Sequence, residues 1–249
     1  MEQQIQFDNP AGEVLAGTLH RPETPGERGV LLAHCFTCSR HTTLLRQIGR
    51  DLSAAGIWVL RFDFSGNGQS GGEFARSTHS KQISEMAVAA DVLFREGVRW
   101  LGLAGHSMGA VVAVLSASRL ERVQRVCCMA GRLSGMDAAR YLTLDQRIEL
   151  SQTGRTTFVS RGRELMMTRE FFSDAERFDL KNEIAGLEPS LLIVHGDADE
   201  IVPVAEAYEA RSRKPEGSEL FIAADADHMF SNPTHQESVS RKVVKWFTH

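Results

Sequence analysis

The amino-acid sequence predicts an α/β fold, a mainly parallel sheet with helices on both faces, and three features point there. From residue 30 onward, short apolar runs alternate with longer amphipathic stretches, as parallel strands joined by crossover helices require. The segment before them holds two strand-like runs, 5–7 and 14–20, around the turn Asn9-Pro10-Ala11-Gly12, which predicts an antiparallel hairpin at a sheet edge. One long interval, 133–187, breaks the rhythm.

The elements follow in order. Residues 30–34 read as a wholly apolar strand, 43–55 as a helix stopped by Gly56, and 57–62 as the next strand. A helix over 80–96, a strand over 101–104, a helix over 108–118 and a strand over 123–129 continue the pattern. After the interruption come a strand at 191–194, a helix at 204–213, a strand at 220–223 and a helix at 234–247. The interval 133–187 is longer than a crossover needs, so it reads as a cap inserted into a single domain spanning 1–249. No strand-like run stands out in it, and the cap is expected to be helical. Its apolar residues, Phe158, Met166 and Met167 among them, chiefly pack the insertion, while Met136, Tyr141, Phe171 and Phe172 are candidates to line a substrate pocket.

Composition narrows the class of function. With 42% hydrophobic residues among 249, the chain can bury a sizeable core. A formal net charge of −4 argues against a nucleic-acid partner or an anionic membrane surface and favours a small-molecule substrate. The opening MEQQIQFDNP lacks a basic start followed by an apolar run, and no uncharged stretch approaches membrane-spanning length, so a cytoplasmic protein is expected. Its four cysteines, Cys35, Cys38, Cys127 and Cys128, do not form a secreted disulfide framework, and a reducing compartment would keep them as buried thiols.

Gly105-His106-Ser107-Met108-Gly109 follows a strand and opens a helix, the setting of a Gly-x-Ser-x-Gly nucleophile elbow. A strand turning that sharply strains the central residue and crowds neighbouring backbones, so small residues belong at positions 105 and 109. A serine hydroxyl also needs a base, and the base needs a carboxylate. Asp197 and Asp199 lie beyond the strand at 191–194, and His228 follows the strand at 220–223. Asp199 is preferred, because Asp197 directly follows Gly196 and shapes the turn. His228 is preferred to His235, which sits inside a helix.

With these motifs in place, the chain resembles the α/β-hydrolases. LLAHCFTCSRH, RFDFSGNGQSGGEF and GHSMG are similar to the hydrolase module fused to OsmC-type domains in bacterial bifunctional proteins. EFFSDAERFDL, LLIVHGDADEIVP and DADHMF resemble, more distantly, feruloyl and cinnamoyl esterases, whose cap lies in the same place. The likeness implies an α/β-hydrolase fold, an oxyanion loop beginning at His34, a second loop at Asp63 to Ser70, and Asp199 as the acid. Cys35 departs from the glycine usual in the wider superfamily.

AHCFTCSRH spaces its ligands as His34-Cys35-x-x-Cys38-x-x-His41 and so raises zinc and dithiol chemistry as alternatives. Zinc is disfavoured because His34 and Cys35 are neighbours in extended chain and point to opposite faces. A redox role stays open if Cys38 is exposed, and structural packing is the preferred reading. Beside the nucleophile, the backbone N–H of Phe36 is expected to join that of Met108 in an oxyanion hole. The sequence therefore predicts a serine carboxylesterase for small hydrophobic or aromatic esters, using Ser107, Asp199 and His228 and no cofactor or metal. Thioester or amide hydrolysis, a non-catalytic binding role and a thiol-dependent stress role are the alternatives.

Overall fold

The computed structural model describes residues 1–135 and 142–249, and Met136 and Tyr141 lie outside the described residues. The chain opens with β1 (Glu2–Asp8) and β2 (Val14–His20), an antiparallel hairpin pairing Glu2 with His20 and Asp8 with Val14. Then follow β3 (Arg28–Ala33), α1 (Thr43–Ala54), β4 (Trp58–Phe62), α2 (His79–Arg95), β5 (Trp100–His106), α3 (Met108–Ala117) and β6 (Val123–Met129). After the cap come β9 (Ser190–Gly196), α7 (Ala205–Arg213), β10 (Ser218–Ala223) and α8 (Pro233–Thr248). These strands form one eight-stranded sheet in the order β1-β2-β4-β3-β5-β6-β9-β10. All pairings from β4 to β10 are parallel, and the hairpin joins antiparallel through β2 and β4.

The apolar strands alternate between two cores. Val30 and Leu32 face α1 and α8, packing with Leu45, Ile48, Val239 and Phe247, while Leu31 and Ala33 join the layer of α2 and α3 with Met86, Val112 and Leu115. Cys127 and Cys128 divide in the same way, one to each layer. A strand buried on both faces has no place for a polar residue, which explains its uninterrupted apolar text. Each large side chain so buried contributes roughly 1.5–3 kcal/mol. No helix among the described residues is long and apolar enough to cross a membrane.

The cap corrects the expectation of an all-helical insertion. It contains α4 (Leu144–Thr153), then an antiparallel hairpin of β7 (Arg155–Ser160) and β8 (Arg163–Thr168), then α5 (Arg169–Ala175) and α6 (Leu180–Ala185). Thr143 and Gln146 form a capping box at the start of α4, and Gly154 ends it in the left-handed conformation. Arg161 and Gly162 turn the hairpin with φ of 51° and 72°, as a two-residue turn requires. Met166, Met167, Phe171 and Phe172 mimic helical spacing in the sequence. In β8, however, Leu165 and Met167 are buried while Glu164 is exposed, a period of two.

Candidate active site

Ser107 stands between β5 and α3 with φ of 55° and ψ of −116°, a conformation costing on the order of 1–3 kcal/mol. Two close approaches hold it there. A Cβ on Gly105 would overlap the Gly109 carbonyl, and one on Gly109 would overlap the Ala33 carbonyl, so only glycine lets β5, α3 and β3 come this near. The Ser107 amide donates to the Met129 carbonyl of β6 at 2.8 Å.

The hydroxyl faces His228, with Ser107 Oγ 3.1 Å from His228 Nε2. His228 Nδ1 lies 2.8 Å from Asp199 Oδ2, and the other Asp199 oxygen accepts the amides of Ile201 and Val202 at 2.9 and 2.8 Å. Burial pushes the Asp199 carboxyl upward, but hydrogen bonds from His195, His228 and the Val202 amide outweigh it and hold the group well below the usual carboxylate range. Asp197 instead accepts the Asp225 amide at 2.6 Å, shaping the turn below the histidine, and His235 lies on α8.

Two histidines complete this arrangement that the sequence motifs did not single out. His106 Nε2 donates to the His228 carbonyl at 2.8 Å, and His195 Nε2 lies 2.9 Å from the Val202 carbonyl and 3.2 Å from Asp199 Oδ2. Both occupy strand ends beside a motif glycine, and that position was their only sequence signal. Burial, with the neighbouring His228, pushes His106 down to about 4, so it stays neutral near pH 7.

The segment after β3 runs beside Ser107. His34 accepts the Phe64 amide on Nε2 at 3.0 Å and donates from Nδ1 to the Cys35 carbonyl at 2.7 Å, so both ring nitrogens are spent on backbone. Cys35 and Cys38 form a disulfide, their Cα atoms 5.2 Å apart, which corrects the expectation of free thiols. A turn in which the Cys38 amide donates to the Cys35 carbonyl at 3.1 Å brings the two into bridging range. Cys127 and Cys128 are free and buried.

Between the two cysteines sits Phe36, and neither its N–H nor that of Met108 has a hydrogen-bond acceptor among the described residues. The Phe36 ring stacks on Phe158 and meets Phe74 and Phe171 at 5.1–5.8 Å between centroids. Asp63 ties down the far end of the segment, accepting the Arg40 amide at 2.6 Å, the Arg40 guanidinium, and the Gln69 amide at 2.9 Å. The Asp63 to Ser70 loop thus anchors the segment that carries Phe36.

Ser107 opens into a cavity of about 340 Å³ under the cap, walled chiefly by Phe36, Met108, Phe158, Met167 and Phe171. Phe171 lines this cavity. Phe172 does not; it packs in the cap's own cluster, its ring edge-on to Phe171 at 5.4 Å. Phe158 and Met167, read from sequence as cap packing, lie on the wall because the unrecognised hairpin turns them inward.

Residues 30–241 match the family model described as the alpha/beta hydrolase family. The chain belongs to that family. Its fold is also that of solved hydrolases. The esterase domain of a Rhodothermus marinus protein is 25% identical, with a TM-score of 0.79 over 99% of this chain and 97% of that one. Est1E from Butyrivibrio proteoclasticus with ferulic acid bound is 22% identical, with a TM-score of 0.85 over 97% of both chains. An esterase from Pyrococcus furiosus is 20% identical, with a TM-score of 0.73 over 99% of this chain and 91% of that one. None of the curated proteins matches this sequence.

Proposed function

We propose that this hydrolase is a serine carboxylesterase acting on small hydrophobic or aromatic esters. The observation that carries the reading is the continuous chain from Ser107 through His228 to Asp199, with Phe36 and Met108 lining the same cavity and their N–H groups lacking an acceptor among the described residues. His228 takes the Ser107 proton as Oγ attacks the acyl carbon, and Asp199 stabilises the imidazolium that results. The N–H groups of Phe36 and Met108 receive the negative charge that develops on the carbonyl oxygen. His228 then gives its proton to the departing alcohol. Water attacks the acyl-Ser107 ester with His228 again as base, releasing the acid and restoring the serine.

The apolar wall of the cavity supports a hydrophobic or aromatic group on the ester. A panel of alkyl and aryl esters with purified protein tests the reading, alongside fluorophosphonate labelling located by peptide mapping. Turnover together with label on Ser107 is the expected result. Turnover of thioesters or amides but not esters, or label elsewhere, would replace it.

A further inference from the structure

Four side chains with polar groups reach the wall of the Ser107 cavity: His79, Ser107, Arg132 and Gln146. Three are engaged. Ser107 meets His228, Gln146 bonds the Thr143 amide and the Thr157 carbonyl, and Arg132 pairs with Glu206 at 3.9 Å. His79 is different. It is 5% exposed, and neither Nδ1 nor Nε2 makes a hydrogen bond to any described residue. Asp174, the neighbouring carboxylate, is spent on the amide and hydroxyl of Ser80. The Phe171 ring packs against the imidazole with centroids 5.3 Å apart.

Buried polar groups are almost always hydrogen-bonded, so an imidazole left unspent on the wall of an apolar cavity calls for a partner that enters the cavity. Leaving it unmatched carries a desolvation penalty that a phenylalanine filling the same space would avoid. We propose that His79 is a specificity-determining residue, reading a hydroxyl group carried by the otherwise apolar portion of the ester. Its helical position holds it in place, since it opens α2 directly after the N-cap Thr78. Burial pushes its pKa down to about 4, so near pH 7 the ring is neutral, with one nitrogen donating and the other accepting. A hydroxyl, itself donor and acceptor, matches either tautomer. A neutral His79 offers no opposite charge to offset the desolvation of a carboxylate or an ammonium placed against it.

The inference rests on the esterase reading for its substrate, and the experiment separates the two. Affinity is measured by calorimetry on Ser107→Ala protein with matched esters bearing hydroxyl or methyl at the same position. The series places that position in turn on the acyl and the alcohol portion, and the same pairs are followed by turnover in protein with Ser107 intact. With His79 present, at least one hydroxyl ester should bind about tenfold or more tighter than its methyl partner. His79→Phe and His79→Leu should bring that ratio within about threefold by weakening only the hydroxyl ester, and His79→Gln should keep part of it. In turnover the loss should appear mainly in KM. Equal affinities throughout the series, or equal weakening of both members of each pair in either apolar variant, would overturn the role of His79. Binding discrimination without hydrolysis of any ester would leave that role standing and reject the carboxylesterase reading.

Discussion

His106 Nε2 donates to the backbone carbonyl of His228 at 2.8 Å, and the two rings lie 5.1 Å apart. The residue before the serine therefore carries the residue that would take the serine's proton. Because β5 leads directly from His106 into Ser107, one strand end sets both partners of the 3.1 Å contact.

Replacing His106 by Phe removes the donor while keeping bulk. The expected effect is a fall in kcat of about ten- to a hundredfold with little change in KM, because a shift of the base matters in the transition state more than in binding. Steady-state kinetics on one aryl ester checks this. Unchanged kcat would show that the 225–231 turn holds His228 without help.

Ser107→Ala should lower turnover at least about a thousandfold while leaving the protein folded. Ser107→Gly should also be inactive, and more stable to urea by about 1 kcal/mol, since glycine accepts a φ of 55° without strain. A tenth of normal turnover in either variant would remove Ser107 from the reaction.

The disulfide brackets Phe36, but other contacts also place its amide: His34 on the Cys35 carbonyl, the Phe158 and Phe171 rings, and Asp63 on Arg40. Reduction by dithiothreitol, or Cys38→Ala, should therefore cost no more than about tenfold in kcat/KM. Asp63→Ala should do far more harm, because it leaves the Arg40 guanidinium buried without its carboxylate, a loss of about 3–5 kcal/mol in comparable pairs. A loss from Cys38→Ala as large as that from Asp63→Ala would mean that the segment depends on the sulfur bridge as much as on Asp63.

Acid should destabilise the fold before it titrates the carboxylates. Burial lowers His20, His79 and His106 to about 4, so between pH 6.5 and 4 the unfolded chain binds protons at these positions that the native state refuses. Stability thus rises with pH through that window and is lost as pH falls, by up to about 1.4 kcal/mol per pH unit for each histidine. Urea unfolding at pH 7.5, 6, 5 and 4 measures the slope, and His79→Phe should make it shallower. A midpoint constant from pH 7 to 4.5 would show that these rings take up protons when folded.

The order of the main-sheet strands and helices, the glycine-flanked turn at Ser107, and the meeting of Ser107 with His228 and Asp199 were all legible in the amino-acid text. Those features are local or strictly ordered: a run of apolar residues long enough to cross a buried sheet, glycines where backbones touch, and an acid and a histidine following two late strands. Tertiary structure decided the rest. Thr156 and Thr157 form a strand only because β8 folds back to pair with it, and that pairing turns Phe158 and Met167 toward Ser107 while Phe172 packs within the cap. Cys35 meets Cys38 because a turn closes between them. His79, His106 and His195 look alike as letters; what separates an unspent ring on a cavity wall from two that hold the loops of His228 and Asp199 is the set of atoms each one meets. Those atoms come from distant parts of the chain, and no local pattern encodes them.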